Sequence, residues 1–519
     1  MSSFVKSVPA ALFLALVAAS ARAEVQPAKI FCDHVVLQRD KPVPVWGTAE
    51  PGKKVTVAFA GQSKSATADA DGKWLVKLDK LAASAKGRTL TIASPAGTVE
   101  IEDVLVGDVW LCSGQSNMGR NVDRSVIPPG MKWSHPTIRY WGAGGSRPYP
   151  VECYENAPDA WKVCADEEST RGCCAVGFFF ARRVQQDVDV PIGILWHAFP
   201  GSIIQEWLAP DAWRSEPALA DMADRVEQNY PNTEYGRKVW KARLDEVKKW
   251  TARAEAAIAN GTPFPHPQPL MPEPRKRDVS GFYNGKIHPS APFALKGFLW
   301  YQGESDMRNG QWALMLKVMA RSWRDGFRVE GDGREMPFYW IQIQRSGDYC
   351  STLNRQQAFN ALKMVPNGGM AVLLDLDVAV HPANKVDTGI RLALWALRRD
   401  YGKKDVVPSG PLYKSRRVEG DKLIVEFYYA EGGLRIGEKD MLNDPVLSSS
   451  GELTNMELAG KDGKWHKAAG EIDGRRLVVT SKDVPKPVEV RYAFSTVPDG
   501  PFLYNAAGLP AAMFSSVPK

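Results

Sequence analysis

Five short, largely apolar runs divide the middle of this chain, and the segments that separate them decide its fold. The runs are Asp108-Val109-Trp110-Leu111-Cys112, Ile192-Gly193-Ile194-Leu195 (entered through Pro191), Gly297–Tyr301, Phe338–Ile343 and Ala371–Leu374. Each has the length of a strand and lacks polar alternation, the pattern of strands buried on both faces. Helical segments lie between them. Trp240, Leu244, Val247, Ala254 and Ile258 fall at helical spacing in a charged stretch, and Lys385 to Arg398 reads as a second helix. Strand and helix in alternation predict a mostly parallel sheet with helices on both faces over residues 105–409. Residues 259–278 are a proline-rich, irregular excursion within it.

The flanks read differently. Residues 24–104 carry short strand-like runs, Val43–Gly47 and Val55–Phe59, with Asp71-Gly72 between two alternating segments, Ser65–Ala68 and Trp74–Leu78. That predicts a hairpin within a β-sandwich-like domain. Residues 410–519 return to β, with Leu423–Phe427, Leu477–Val479 and Val488–Tyr492 as strands and Asp462-Gly463 and Asp473-Gly474 as turns. Residues 1–23 read as an export signal: Lys6, an apolar stretch from Ala10 to Ala19 too short to span a bilayer, then Ala21-Arg22-Ala23 as the cleavage site. The expectation is a secreted or periplasmic protein with no stable membrane insertion.

The formal net charge is +7, two of it from Lys6 and Arg22, with no basic block, which speaks against nucleic acid as a partner. The seven cysteines are Cys32, Cys112, Cys153, Cys164, Cys173, Cys174 and Cys350. Four of them crowd into residues 153–174, where an oxidising compartment permits one or two local bridges, and the odd count leaves at least one thiol over. There is no C-x-x-C pair to indicate a zinc or redox motif. The many tryptophans suit core packing first and sugar stacking second.

Chemistry concentrates where a strand ends in a serine. Asp108–Cys112 runs into Ser113-Gly114-Gln115-Ser116-Asn117-Met118. In an open α/β sheet ligands bind beyond the carboxyl ends of the strands. Ser116 there is either a helix cap or a nucleophile whose own N–H can donate to an oxyanion. A nucleophilic serine needs a base. Of seven histidines, His381 follows the last apolar run by a short loop and leads into the helix beginning near Lys385, at the same edge of the sheet. Gly201 follows the second run and Gln302 the third, so both are candidate oxyanion donors, beside the plainer readings of a turn glycine and a polar loop residue.

Gly114-Gln115-Ser116-Asn117-Met118, Trp300-Tyr301-Gln302-Gly303-Glu304-Ser305 and His381-Pro382-Ala383-Asn384-Lys385 resemble the three signature blocks of the sialate O-acetylesterase family, a branch of the SGNH hydrolases. Val35–Arg39 with Val45-Trp46-Gly47, Tyr283–Pro289, and Leu503-Tyr504-Asn505 with Gly508-Leu509-Pro510 extend the resemblance over nearly the whole chain beyond the leader. The resemblance implies an SGNH-type three-layer α/β/α hydrolase domain with flanking β-sandwich-like modules. It also implies Ser116 as nucleophile, His381 as base, and an oxyanion hole from the Ser116 N–H, the Gly201 N–H and the Gln302 side chain. No metal or organic cofactor is implied.

Two positions depart from the family pattern. An aspartate usually stands two or three residues before the His-Pro pair, where this chain has Ala379 and Val378; Asp377 and Asp375 lie at the wrong spacing. Either a loop distortion brings Asp377 in, or a backbone carbonyl holds the imidazole and the site is a Ser–His dyad. The run Trp196-His197-Ala198-Phe199-Pro200 before Gly201 also differs, which touches the substrate pocket more than the chemistry. Glu304 is expected to shape its loop, and Arg120 and Arg355 are candidate contacts for an acidic sugar. The expected activity is hydrolysis of acetyl esters on an O-acetylated sugar. The alternatives are an acetylated polysaccharide such as xylan, and a glycan-binding protein with an impaired site.

Overall fold

The computed structural model describes residues 25–147, 150–151, 154, 157–228, 230, 233–266, 269, 279–329 and 335–517. The stretch expected to be an export signal and Cys153 lie outside the described residues, as does most of the proline-rich segment.

The five runs become neighbouring strands of one sheet. Its strands, in chain order, are β1 (Gly97–Gly114), β2 (His135–Trp141), β3 (Lys162–Cys164), β4 (Ile192–Ala198), β5 (Gly297–Tyr301), β6 (Phe338–Gln342) and β7 (Gly368–Val372). Their spatial order is β3-β2-β4-β1-β5-β6-β7, parallel throughout except for the short β3 at one edge. The last strand lies slightly earlier than the expected Ala371–Leu374. The longer helices are α1 (Ala175–Asp187), α2 (Glu234–Asn260), α3 (Trp312–Gly326), α4 (Thr352–Asn360) and α5 (Lys385–Arg399). Alternate side chains of the strands meet helices on opposite faces. Trp110 packs on Phe180 of α1 and Tyr339 on Trp395 of α5. Phe298 and Phe338 pack on Trp323 of α3, and the Trp340 indole donates to the Ala358 carbonyl in α4. Ten of the seventeen tryptophans are among the largest fully buried side chains, so most of them build core rather than a sugar platform.

The first half of β1 belongs to the N-terminal β region. There it pairs antiparallel with Ser84–Ser94 and parallel with Val36–Gln38, before its second half enters the central sheet. The boundary expected at 104/105 therefore falls inside one continuous strand. Asp108, fully buried in that strand, is held by the Arg39 guanidinium at 3.0 and 3.1 Å and by the Gln38 amide at 2.9 Å.

The hairpin expected at Asp71-Gly72 does not form. Gln62–Thr67 pairs with Lys54–Phe59, whereas Lys73–Leu78 pairs with Val43–Thr48 in a separate sheet. The tight turn is instead Ala60-Gly61, both residues in the left-handed region, as a two-residue hairpin requires. At the Asp-Gly site the Asp69 carboxylate accepts from the N–H groups of Asp71 and Lys73, which shapes a loop that crosses between sheets.

The C-terminal region forms a seven-stranded sheet from Leu412–Glu419 to Phe514–Ser515 and a smaller three-stranded one. It docks on the central sheet through polar bonds. The Gln342 amide exchanges two 2.9 Å hydrogen bonds with the main chain of Met513. Among the described residues no helix is long and apolar enough to cross a membrane.

Candidate active site

Register brings three strand ends level: Ala198 of β4 and Tyr301 of β5 both pair with Gly114 of β1. From these ends emerge Ser116, the Phe199–Ser202 turn carrying Gly201, and Gln302. At Gly114 the chain has φ +140°, and a Cβ there would lie 2.1 Å from the Tyr301 carbonyl oxygen, so only glycine lets β1 pass this close to β5. Beyond it the Gln115 N–H donates to that same carbonyl at 3.0 Å, and Ser116 opens a one-turn helix, Ser116–Gly119.

His381 reaches the same rim from the loop after β7. Its Nε2 lies 2.8 Å from Ser116 Oγ, across 265 positions of chain. Both side chains are half-buried. Burial, with Arg120 and Lys385 nearby, lowers the imidazole pKa below its usual value, so His381 is neutral and able to accept a proton. The other histidines stand apart. His34 pairs with Asp103 in the N-terminal region. His197 is fully buried against Tyr154 and Ser290, where burial pushes its pKa down to about 3.

The sialic acid-specific acetylesterase model of carbohydrate esterases matches residues 106–240 and 284–396. The chain belongs to that family. The interruption falls on most of α2 and the proline-rich excursion. The mouse sialate O-acetylesterase is 27% identical over 78% of each chain, and the human one 24% identical over 93% of this chain and 90% of its own. A crystal structure of a carbohydrate acetylesterase from Xanthomonas citri superposes with a TM-score of 0.75 at 28% identity, covering 95% of this chain and all of that one.

Among the described residues no acid bonds the imidazole. Asp377 Oδ2 accepts from the Ala383 N–H at 3.1 Å, bracing the loop around His381, and its Oδ1 is buried without a partner. Asp375 is held by Arg391 at 2.6 and 2.8 Å and by the Tyr504 hydroxyl. The arrangement is a Ser–His pair.

Gln302 differs from expectation. Its amide nitrogen donates to the Ser202 carbonyl at 3.2 Å and to Asp306 at 2.5 Å, while its oxygen accepts from the Trp312 indole at 2.8 Å. Both donor hydrogens are engaged, so the side chain holds the turn that carries Gly201 instead of facing a reacting carbonyl. Gly201 itself is in the left-handed region at φ +70°.

Arg355 is corrected outright. It is fully buried, and its guanidinium donates to the carbonyls of Ile343, Gln344, Ser495 and Thr496, so it joins the central sheet to the C-terminal region and cannot touch a sugar. Arg120 does sit at the site, close enough to act on His381. The local bridges expected among the cysteines are absent from the six described ones, which are free thiols.

Four buried polar residues around the serine turn have no role assigned from sequence: Gln115, Asn117, Gln344 and Lys385. Gln115 accepts from the N–H groups of Gly303 and Ser305 at 3.3 Å each, tying the serine turn to the loop after β5. Three of the four lie inside the motif blocks; Gln344 has no local signal at all. Among the described residues no cluster of three or more His, Cys, Asp or Glu side chains could hold a metal.

Beside the serine turn lies a groove of about 630 Å³, bordered by Gly119, Ala198 and Pro200. Arg147, Lys162 and Lys286 line it, together with the partly buried Trp196, and its described lining contains no carboxylate. Burial lowers Lys286 to about 8.

Proposed function

We propose that this protein is an exported O-acetylesterase of SGNH type that removes acetyl groups from an acidic sugar through a serine acyl-enzyme. The 2.8 Å contact between Ser116 Oγ and His381 Nε2, at the level edge of three parallel strands, carries the reading. His381 takes the Ser116 proton as Oγ attacks the acetyl carbonyl. The tetrahedral oxyanion is met by the main-chain N–H groups of Ser116 and Gly201, each such donor being worth about 3–4 kcal/mol. Gln302 can join them only by releasing Ser202 or Asp306. His381 then protonates the departing sugar hydroxyl, leaving acetyl on Ser116. Water, deprotonated by the same imidazole, attacks that ester, and acetate leaves as Ser116 regains its proton.

The cationic, carboxylate-free lining of the adjoining groove favours an acidic sugar over neutral xylan. A second reading, glycan binding without turnover, draws on the missing acid at the imidazole and on the β regions that flank the central sheet. A dyad still catalyses, because the oxyanion donors and binding remain.

Acetate release from O-acetylated sialic acid, from acetylated xylan and from p-nitrophenyl acetate tests the proposal. Wild type should act on the acidic sugar best, and folded Ser116→Ala should release no acetate. Full activity in that variant removes Ser116 as nucleophile. Binding without any turnover by wild type favours the second reading, and a preference for xylan moves the substrate to a neutral polysaccharide.

A further inference from the structure

Beside the Ser116–His381 pair lies a connected set of buried polar side chains that the mechanism does not use. Asn117, Glu304, Gln344 and Lys385 are each at most 2% exposed. Lys385 Nζ donates to Asn117 Oδ1 at 2.6 Å. Asn117 Nδ2 donates to Glu304 Oε1 and, at 2.9 Å, to the Val380 carbonyl. Gln344 Nε2 donates to the same Glu304 oxygen at 3.0 Å and to the same Val380 carbonyl at 2.7 Å. The Tyr301 hydroxyl donates to Gln344 Oε1 at 2.7 Å, which fixes the orientation of that amide, as Lys385 fixes the orientation of Asn117.

Val380 immediately precedes His381. Its carbonyl receives two donors, and both donors are shared with one carboxylate oxygen. Buried polar groups cost stability unless they are fully paired, and Glu304 Oε2 has no partner at all. Fold alone would be served as well by apolar side chains of the same volume.

We propose that Glu304 is a positioning residue for the base: by anchoring the Asn117 and Gln344 amides it fixes the Val380 carbonyl, and thereby the main chain that presents His381 to Ser116. This supplies through the backbone the orientation that an aspartate at position 378 or 379 would supply through the ring. The inference rests on the roles proposed for Ser116 and His381. The raised pKa of Glu304 and the lowering of Lys385 to about 7, both from burial, agree with a pair kept out of water.

Steady-state kinetics with p-nitrophenyl acetate on the full chain, with unfolding midpoints recorded in parallel, tests it. Glu304→Ala should lower kcat by about 10²-fold, the scale of an ångström-level misplacement, with little change in KM. Glu304→Gln keeps an oxygen that accepts from both amides and should recover at least about tenfold of that loss. Gln344→Met removes one of the two donors to Val380 and leaves every charged residue in place; it should also lower kcat while KM holds. It decides the matter if Glu304→Ala fails to fold. Glu304→Gln as inactive as Glu304→Ala would assign the effect to charge and overturn the proposal. Unchanged kcat in folded Glu304→Ala or Gln344→Met overturns it too, and leaves the Ser116–His381 reading standing as long as Ser116→Ala is inactive. An active Ser116→Ala takes down both.

Discussion

The proposal that Ser116 is a nucleophile and not merely a helix cap rests on what stands 2.8 Å from its oxygen, the ring nitrogen of His381. The imidazole must be neutral to accept the proton. Burial opposes its protonation, and the Arg120 and Lys385 charges oppose it further, so its pKa lies below the ordinary 6.5. Activity should therefore survive into mild acid, with kcat/KM falling in one step whose midpoint is below that of an ordinary histidine. Arg120→Gln removes one repelling cation, raises the imidazole pKa, and should move this acid limb to higher pH. A pH–rate profile of the two proteins checks the sign, and a limb that stays put or moves down would remove Arg120 from the electrostatics of the base. That Ser116 and His381 meet is legible in the sequence because motif residues and strand order converge on one rim of the sheet. The bonding of Gln302 and Arg355 is not, because a sequence shows that a side chain can donate but not which carbonyls it already serves. Buried acceptors engage both: Ser202 and Asp306 the one, four main-chain carbonyls the other.

At the scale of elements, the parallel strands are readable because burial on both faces leaves an unbroken apolar run, and Gly297–Tyr301 matches its expected span end to end. The Asp71-Gly72 pair misleads because local turn chemistry does not say which strand is the partner. Ala60-Gly61 takes up the left-handed conformation although its alanine has no local preference for it, and the strands it joins are the ones that pair. The turn that matters for function is the one at Gly114. Its backbone already lies where L side chains are strained, and a methyl group would collide with the Tyr301 carbonyl. Gly114→Ala should cost about 2 kcal/mol or more, from a strained φ together with the displacement of β1 from β5. Because Ser116 is two residues on, esterase activity should fall by a larger factor than the folded fraction does. Urea unfolding and active-site titration of the same sample separate the two effects; wild-type stability would show that the strand ends are not packed as tightly as this.

The whole molecule is less divisible than its sequence suggests. The change in pattern near residue 105 is real, but β1 carries straight through it, because one strand can be a partly exposed edge at its start and fully buried at its end. The C-terminal region is bound in the same way, by residues whose partners sit more than a hundred positions apart. Arg355 is the centre of that contact. Burial lowers its pKa to about 10, yet its guanidinium stays charged at neutral pH and serves two carbonyls of the segment after β6 and two from the C-terminal region. Arg355→Met keeps much of the volume and removes every donor. Several carbonyls then stay buried without partners, at about 1–3 kcal/mol each where water cannot reach them. Stability should drop by about 3 kcal/mol, and limited proteolysis should begin to cut between the hydrolase core and residues 410–517. Were Arg355 instead a sugar contact, the variant would keep its stability and lose affinity for acidic substrates alone. The two outcomes are opposite in both measurements, so a melting curve and a KM ratio for acidic against neutral acetyl esters suffice to tell a strut from a binding residue.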